Sequence, residues 1–201
     1  MSADETQQSI EAIQMADTER QTAAGKVLWH FTMSLDGFVA GRNHAMDWMT
    51  GISFRPGLIE EYAETTGAVL GGRDGFDAYP DVSVVYGGAW QGPVFVLTHH
   101  PEDAHPADGV TFLSCDVAEA VRIGLEAADG KNLEVFSATI GRQLLERGLI
   151  DEIDLHIAPV LLGNGIRLFD NPGGAPVRLE LLNGDDPTAA LNVRYHPVAS
   201  R

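Results

Sequence analysis

VLWHFTMSLDGFVAG, residues 27–41, is the stretch on which the interpretation of this chain depends. Residues 27–33 are mostly apolar and predict a buried strand, which SLDGFVAG follows directly. Open α/β sheets bind ligands beyond the carboxyl ends of their strands, and Asp36 stands at that edge. Asp36 is therefore the first candidate for chemistry. The alternative is a polar corner in which Asp36 and Gly37 only make a turn.

The rest of the chain alternates short apolar runs with helical stretches, as α/β proteins with a largely parallel sheet do. Strands are predicted at residues 27–33, 68–71, 94–97, 110–113, 133–137, 153–161, 177–182 and 191–197. The last two alternate apolar and polar side chains strictly, so we expect them to pair antiparallel. Helices are predicted at residues 56–64, 116–129 and 140–147, with Asp116 as a cap and Gly148 as a stop.

These elements predict one α/β domain over residues 26–201, with helices on both faces of a central, mostly parallel sheet of about eight strands and an antiparallel C-terminal pair. Residues 1–25 differ from it, because they are rich in Gln, Glu, Asp, Thr and Ala. We interpret them as a polar N-terminal extension. A mobile tail is the simpler reading of this composition, and a helix docked on the body or on a partner subunit is the other.

Composition limits the classes of function. The net charge of −16 argues against nucleic-acid binding, which needs clustered Lys and Arg. No apolar run has the ~20 residues of a membrane span, and no signal peptide pattern precedes Val27, so we expect a cytoplasmic protein. The one cysteine, Cys115, excludes an internal disulfide and is expected to be a buried, inert thiol. The seven histidines lack metal-ligand spacing, so no metal is expected.

A pair of glycines follows the second predicted strand in VLGGR, residues 69–73. Gly71 and Gly72 allow backbone N–H groups to approach a phosphate, and Arg73 adds a charge-assisted hydrogen bond to the same anion. Thr98 and His99, which end PVFVLTH, would present a hydroxyl and an imidazole beside it. The alternative is a tight turn with a surface arginine.

Residues 74–91 are predicted to form a long loop that carries Tyr79, Tyr86 and Trp90 beside paired glycines. Long loops in compact domains are often binding loops or lids. We interpret this one as a wall on the substrate side, formed by Tyr86 and Trp90. The alternative, which the sequence favours equally, is that these two side chains only pin the loop to the body.

Several of these motifs occur together in a known group of proteins. MSLDGFVAG, DWMTG, VLGGR, PVFVLTH and, most specifically, RQLLERGLIDEIDLHIAPVLLGNGIRLF at residues 142–169 resemble the dihydrofolate reductase-like fold. Within it they are similar to the reductase domain that ends bifunctional riboflavin-biosynthesis deaminase-reductases, with its stand-alone relatives. The resemblance covers residues 27 to about 198.

The resemblance implies a reductase that uses NADPH and transfers a hydride to a pterin-like or ribosylaminopyrimidine-like small molecule. It would act like a 5-amino-6-(5-phosphoribosylamino)uracil reductase, and the family also favours a homodimer. Asp36 matches the acid that follows the first strand in these reductases, and we expect it to orient substrate or relay a proton, with Ser34 beside it. Trp48 and Thr50 match the loop that closes over the nicotinamide.

The cofactor side is carried over in the same way. Gly71, Gly72 and Arg73 match the turn at the phosphates, and Thr98 and His99 lie where the ribose phosphate would be. Where relatives usually have paired glycines at a helix N-terminus, this chain has SATIGRQ. That turn favours a pyrophosphate through free N–H groups and the helix dipole. Its expected contact residues are Ser137, Ala138, Thr139, Ile140 and Gly141.

Two departures from the family limit the assignment. TGISFRPG, residues 50–57, has no acid where dihydrofolate reductases hold the pterin, so folate reduction is disfavoured. The chain also lacks the zinc-binding motifs of the deaminase domain. Two alternatives stay open: a non-catalytic ligand-binding protein that lost cofactor binding at SATIGRQ, and a reductase that uses a flavin or deazaflavin.

Overall fold

The computed structural model describes residues 25–182 and 194–195. The strands are β1 (Val27–Ser34), β2 (Phe38–Ala40), β3 (Thr66–Gly72), β4 (Val94–Leu97), β5 (Val110–Leu113), β6 (Asn132–Phe136), β7 (Glu152–Ala158) and β8 (Ile166–Arg167). The α-helices are α1 (Leu58–Thr65), α2 (Arg73–Ala78), α3 (Val117–Ala128) and α4 (Ala138–Glu146). Short 3₁₀ turns occupy Arg42–His44, Asp47–Met49, Val82–Gly88 and Pro101–Asp103.

Six strands form one parallel sheet in the order β5-β4-β3-β6-β1-β7, and β2 pairs antiparallel with β8 in a second, two-stranded sheet. The predicted α/β class and the count of eight strands are therefore confirmed. Because β6 lies between β3 and β1, its residues are enclosed on both sides by paired backbone.

The fully buried core is built from this sheet and the helices that cover it. Trp29, Leu70 and Leu133 are almost completely enclosed, and Leu144 of α4 packs with them. Helix α3 begins as predicted, because the Asp116 carboxylate accepts a hydrogen bond from the Ala118 N–H at 2.9 Å. Its apolar face buries residues spaced three and four apart.

Two of the predicted strands differ from the structure. β7 ends at Ala158 rather than at residue 161, because Pro159 has no N–H to continue the ladder. Residues 177–182 form no strand, since alternation of side chains describes two faces but supplies no hydrogen-bonding partner. Their expected partner, residues 191–197, lies mostly outside the described residues. The antiparallel pair is β2 with β8 instead.

Residues 74–91 are not a continuous loop. Helix α2 ends at Ala78, and the 3₁₀ turn Val82–Gly88 follows it. The chain divides into two compact units, Met1–Leu168 and Phe169–Arg201. The sites described below lie in the first unit. No helix in the described part of the chain is long and apolar enough to cross a membrane.

Candidate active site

A cavity of about 1300 Å³ lies at the carboxyl ends of β3, β4 and β6. Pockets for drug-sized ligands have roughly 300–1,000 Å³, so this one has room for a larger molecule. Ten of the sequence-predicted site residues line it: Gly71, Gly72, Arg73, Tyr86, Thr98, His99, Ser137, Ala138, Thr139 and Ile140. The structure thus brings together the residues assigned to the phosphates. Ser34, Asp36, Trp48, Thr50, Trp90 and Gly141 do not line the cavity.

The end of β3 and the start of α4 meet in the wall of the cavity. A Cβ at Gly71 would meet nothing within 4 Å, whereas one at Gly72 would lie 3.1 Å from the Ser137 hydroxyl. Ser137 caps α4, because its hydroxyl accepts from the Ile140 N–H at 3.3 Å. The amides of Ala138 and Thr139 in the first turn have no intrahelical acceptor. This corner is suited to an anionic group held by backbone N–H donors.

The Arg73 side chain lies in the cavity wall and is already hydrogen-bonded to other residues of the protein. Its Nε donates to both Asp77 oxygens at 2.7 and 2.8 Å, while Nη1 reaches the His100 carbonyl at 3.2 Å and Nη2 the Asp103 carbonyl at 2.9 Å. Arg73 therefore clamps α2 to the turn that follows β4. A guanidinium has five N–H donors, and two of them remain for a ligand.

The charge of the lining is mostly negative. Among the described residues, Arg73 is the one arginine in the wall and no lysine joins it, whereas the wall contains Asp74, Asp77, Asp81, Asp103 and Asp116. Two of these carboxylates are paired, Asp77 with Arg73 and Asp116 with Arg147. A polyanionic ligand would depend on the backbone donors of α4 and on the remaining donors of Arg73.

Asp36 is held away from the cavity by three donors. Its carboxylate accepts from the Ser34 hydroxyl at 2.7 Å, the Leu162 N–H at 3.0 Å and the Gly163 N–H at 2.7 Å. The Leu162 N–H, helped by Gly163 and Ser34, lowers the pKa of Asp36 from 3.8 to about 2. Ser34 also accepts from the Phe38 N–H. The geometry differs from the expected substrate contact: Asp36 ties the end of β1 to the turn before β8.

This tether should make the stability of the fold depend on pH through Asp36. Because its pKa is lower in the folded state, the ionised carboxylate stabilises the fold above pH 3.8, and this contribution is lost as the pH falls toward about 2. Asp36→Asn should lower the free energy of unfolding at neutral pH. It should also reduce the loss of stability between pH 3.8 and about 2. Urea unfolding at several pH values measures both effects. Asp47→Asn, at an exposed acid, is the control. If Asp36→Asn lost as much stability over this acid range as the unmodified protein does, this role would be contradicted.

In the predicted nicotinamide loop, the expected residues Trp48 and Thr50 do not reach the cavity, but two methionines beside them do. Met46 and Met49 line it. Trp48 is half-buried, its Nε1 has no hydrogen-bond partner among the described residues, and Thr50 is exposed. The tight 3₁₀ turn Asp47–Met49 separates the directions of consecutive side chains, which a motif match does not specify.

Trp90 and Gly141 have packing roles. Trp90 is 6% exposed, donates from Nε1 to the Thr66 carbonyl at 2.9 Å and packs in a cluster around Phe76. It pins the segment to the body, which was one of the two expected roles. Gly141 faces the indole of Trp29, where a Cβ would lie 2.1 Å from the ring. The buried face of α4 thus contains Gly141, and the first turn faces the cavity.

The inner end of the cavity leads to a cluster of buried polar side chains, which we call the His30 cluster: His30, Tyr62, Thr66, Tyr86, Glu134, Asp154 and His156. Its centre is Glu134 on β6, which has no exposed surface. Glu134 accepts from Thr66 at 2.7 Å, from the Tyr86 hydroxyl at 2.6 Å and from His30 Nδ1 at 2.7 Å. His30 and Tyr86 also line the cavity.

The outer members of the cluster extend it toward β7. His30 Nε2 lies 3.1 Å from His156 Nε2, and the Tyr62 ring stacks on His30 with centroids 4.2 Å apart. The Tyr62 hydroxyl donates to Asp154. Burial raises the pKa of Tyr62 and of Tyr86, and it lowers the pKa of His156. Both tyrosines therefore remain protonated donors.

The model of the RibD C-terminal domain matches residues 25–184, which is most of the chain. The chain belongs to the RibD C-terminal domain family. This confirms the family resemblance seen in the sequence. Members of this family and the dihydrofolate reductases share a reductase-type fold, so this RibD C-terminal domain has that fold too.

Three individual proteins are similar to this chain. YwjB of Bacillus subtilis (strain 168) is 26% identical over 147 residues, which are 72% of this chain and 82% of that protein. A riboflavin biosynthesis protein of Shewanella sp. PV-4 has a TM-score of 0.59 at 22% identity, covering 75% of this chain and 86% of its own. Dihydrofolate reductase of Enterococcus faecalis, complexed with NADP(H), has a TM-score of 0.54 at 14% identity, covering 73% and 79%. These structural likenesses show the fold.

Sequence reasoning named Tyr86 but missed the rest of the His30 cluster in this RibD C-terminal domain. A signal was present: Glu134 interrupts LEVF in a strand predicted to be buried, and His30 interrupts the first strand in VLWHF. Charged side chains are almost never fully buried without partners. A buried glutamate therefore predicts donors around it, although the sequence does not say from which elements they come.

Proposed function

We propose that this RibD C-terminal domain is a reductase that uses NADPH to transfer a hydride to the C=N or a similar bond of a small pterin-like or ribosylaminopyrimidine-like molecule. The observation that carries the proposal is the cavity at the ends of β3, β4 and β6. It joins an anion-binding corner at Gly72 and Ser137 to a polar, aromatic inner end at His30 and Tyr86. A dinucleotide would use the corner for its phosphates and the inner end for its nicotinamide ring. The substrate would also bind at the inner end.

The residues of the corner fit a nicotinamide nucleotide. Gly71 leaves space for a close backbone approach, and the amides of Ala138 and Thr139 suit the pyrophosphate. Thr98 and His99 stand beside Arg73 for the ribose phosphate. When bound, the cofactor would supply a hydride, and the protein would supply orientation, a dry wall and a proton.

Replacing Arg73 tests the cofactor. We expect Arg73→Ala to weaken NADPH binding about tenfold or more, because hydrogen bonds to charged groups are worth about 1.5–3 kcal/mol. NADH lacks the additional phosphate, so its affinity should change less. The measurement is a fluorescence titration of purified protein with NADPH and with NADH. The ratio of the two affinities separates the phosphate contact from loosening of the clamp between α2 and the turn after β4.

Arg142→Ala is the matched control, because Arg142 forms the same kind of i,i+4 pair with Glu146 on the exposed face of α4, outside the cavity. It should leave both affinities unchanged. Equal weakening of NADPH and NADH in Arg73→Ala would reject the phosphate contact. Failure of the unmodified protein to bind either nucleotide would reject the reductase.

The acidic lining favours one other function, a non-catalytic protein that binds a neutral or cationic ligand. Five aspartates line the same cavity as Arg73, and Asp77 already holds that arginine. The same titration distinguishes the two functions.

The homodimer and the cytoplasmic location stay predictions. Ile157 on the edge strand β7 and Leu161 beyond it are exposed and would suit a subunit contact.

A further inference from the structure

The carboxylates and the guanidinium that line the large cavity all belong to segments that follow β3, β4 and β5, which are neighbours at one end of the sheet. They are Arg73, Asp74, Asp77, Asp81, Asp103 and Asp116. We call this part of the lining the charged side. The neutral side consists of Phe136 and the lining residues of β1, β2, β8 and the loop between β2 and α1. Among the described residues, it contains no Lys, Arg, Asp or Glu.

The neutral side is apolar and aromatic. Phe31 of β1 and Phe136 at the end of β6 both line the cavity, with ring centroids 6.4 Å apart. Met46 and Met49 are half-buried and line it from the loop after β2. Aromatic rings and thioethers bind other rings through stacking and sulfur contacts, and they supply no charge. This surface is suited to a planar heterocycle.

The polar side chains of the inner end, His30 and Tyr86, already have partners within the protein. His30 Nδ1 lies 2.7 Å from Glu134, and its Nε2 lies 3.1 Å from His156, so both ring nitrogens are engaged. The Tyr86 hydroxyl donates to Glu134 at 2.6 Å. His44 is the one titratable side chain of the neutral side outside the His30 cluster. A ligand phosphate would therefore find no Lys or Arg there and no unengaged donor on His30 or Tyr86.

The charged side has the means to hold one polyanion. In the described residues, its permanent positive charge is Arg73 alone, and the free amides at the start of α4 are the other anion-binding groups. NADPH has a pyrophosphate and an additional ribose phosphate, so it would occupy both. The five aspartates of this side, of which only Asp77 and Asp116 are paired, would repel a second phosphorylated molecule.

We propose that the substrate of this domain is an uncharged, planar heterocycle without a phosphate group, bound on the neutral side by stacking and apolar contact while NADPH fills the charged side. This inference rests on the proposed function and narrows it. A pterin-like ring or an unphosphorylated ribosylaminopyrimidine fits, whereas a phosphoribosylaminopyrimidine does not. The cavity volume of about 1300 Å³ has room for both molecules.

Pairs of fluorescent heterocycles with and without a phosphate test this substrate class. The probes are neopterin with neopterin 3′-phosphate, and riboflavin with riboflavin 5′-phosphate. Each is titrated at neutral pH into protein saturated with NADP⁺, which is not fluorescent, fills the charged side and donates no hydride. We expect the unphosphorylated member of at least one pair to bind about tenfold more tightly than its phosphate or better, since a phosphate without a partner loses its hydrogen bonds to water.

A lysine on the neutral side should reverse this preference. Met49→Lys places an ammonium group at a half-buried position of the cavity wall, where its long stem keeps the charge in contact with water. The affinity for the phosphorylated member should rise about tenfold relative to its partner. Met49→Gln, which adds no charge, and Leu161→Lys, at an exposed position outside the cavity, are the controls. Neither should change the ratio of the two affinities. Circular dichroism confirms that each variant is folded.

The outcomes separate this substrate class from the reductase assignment. If the protein binds NADP⁺ but binds the phosphorylated probes as tightly as their partners, or binds neither pair, the substrate class is overturned and the reductase stands. A phosphorylated probe that binds tightly and is weakened by His44→Gln would also overturn the class, because His44 would then hold a phosphate. If the protein does not bind NADP⁺ or NADPH but still prefers the unphosphorylated probes, the ligand class stands and the reductase is rejected.

Discussion

Glu134→Ala is expected to lower the free energy of unfolding by about 3–5 kcal/mol, because it removes the buried acceptor that three hydrogen-bond donors share. The Thr66 and Tyr86 hydroxyls and His30 Nδ1 would lose their acceptor inside the sheet. Each buried donor left unsatisfied costs about 1–3 kcal/mol, and the missing side chain leaves a cavity between β3 and β1. Urea unfolding at neutral pH measures the loss.

Glu126→Ala is the control for this substitution. Glu126 pairs with Arg122 on the exposed face of α3, and surface ion pairs contribute about 0–1 kcal/mol. Glu134→Gln keeps the volume and one carbonyl oxygen, so it should lie between the two variants and remain measurable if Glu134→Ala does not fold. A Glu134→Ala variant as stable as Glu126→Ala would mean that the buried hydrogen bonds do not hold this sheet together.

Gly141→Ala is expected to cost about 2 kcal/mol, in the range of 1–3 kcal/mol found for overpacked cores. The added Cβ would lie 2.1 Å from the Trp29 ring, which is 1% exposed and cannot move without displacing the core. The clash opposes the gain of about 1 kcal/mol that alanine has over glycine in a helix. Urea unfolding followed by tryptophan fluorescence measures both the stability and the surroundings of Trp29.

Gly75→Ala isolates the helix effect. Gly75 lies in α2, and a Cβ there would meet nothing within 4 Å. Alanine should therefore stabilise at Gly75 or leave stability unchanged, and destabilise at Gly141. If the two substitutions shifted the midpoint in the same direction, the close packing of α4 on Trp29 would be incorrect.

The parts of this molecule that the sequence predicts are those that depend on neighbours in the chain. Apolar runs identified β1 and β3–β6, and short motifs identified Gly72 after a strand and Ser137 in the turn where the family resemblance implies a helix N-terminus. Both kinds of signal are local, because a strand end and a helix cap are properties of a few consecutive residues. The wall of the cavity around Gly72 and Ser137 was therefore predictable.

The remaining features depend on contacts between distant segments. Glu134 and His30 are separated by 104 residues, and Asp36 finds Leu162 at a separation of 126. Motif positions named Asp36 as a site residue, but only the fold shows that its oxygens are taken by backbone N–H groups. The same holds for Gly141, whose place on the inner face of α4 depends on where Trp29 lies.

One of the three hydrogen-bond donors to the Glu134 carboxylate is the Tyr86 hydroxyl, which lies in a turn outside the sheet. The wall that a ligand would touch and the centre of the fold thus share one hydrogen bond. A substitution that reshapes this wall for a new ligand also changes the stability of β6. We therefore expect Tyr86 to tolerate fewer substitutions than Val84, which lines the cavity without joining the buried network.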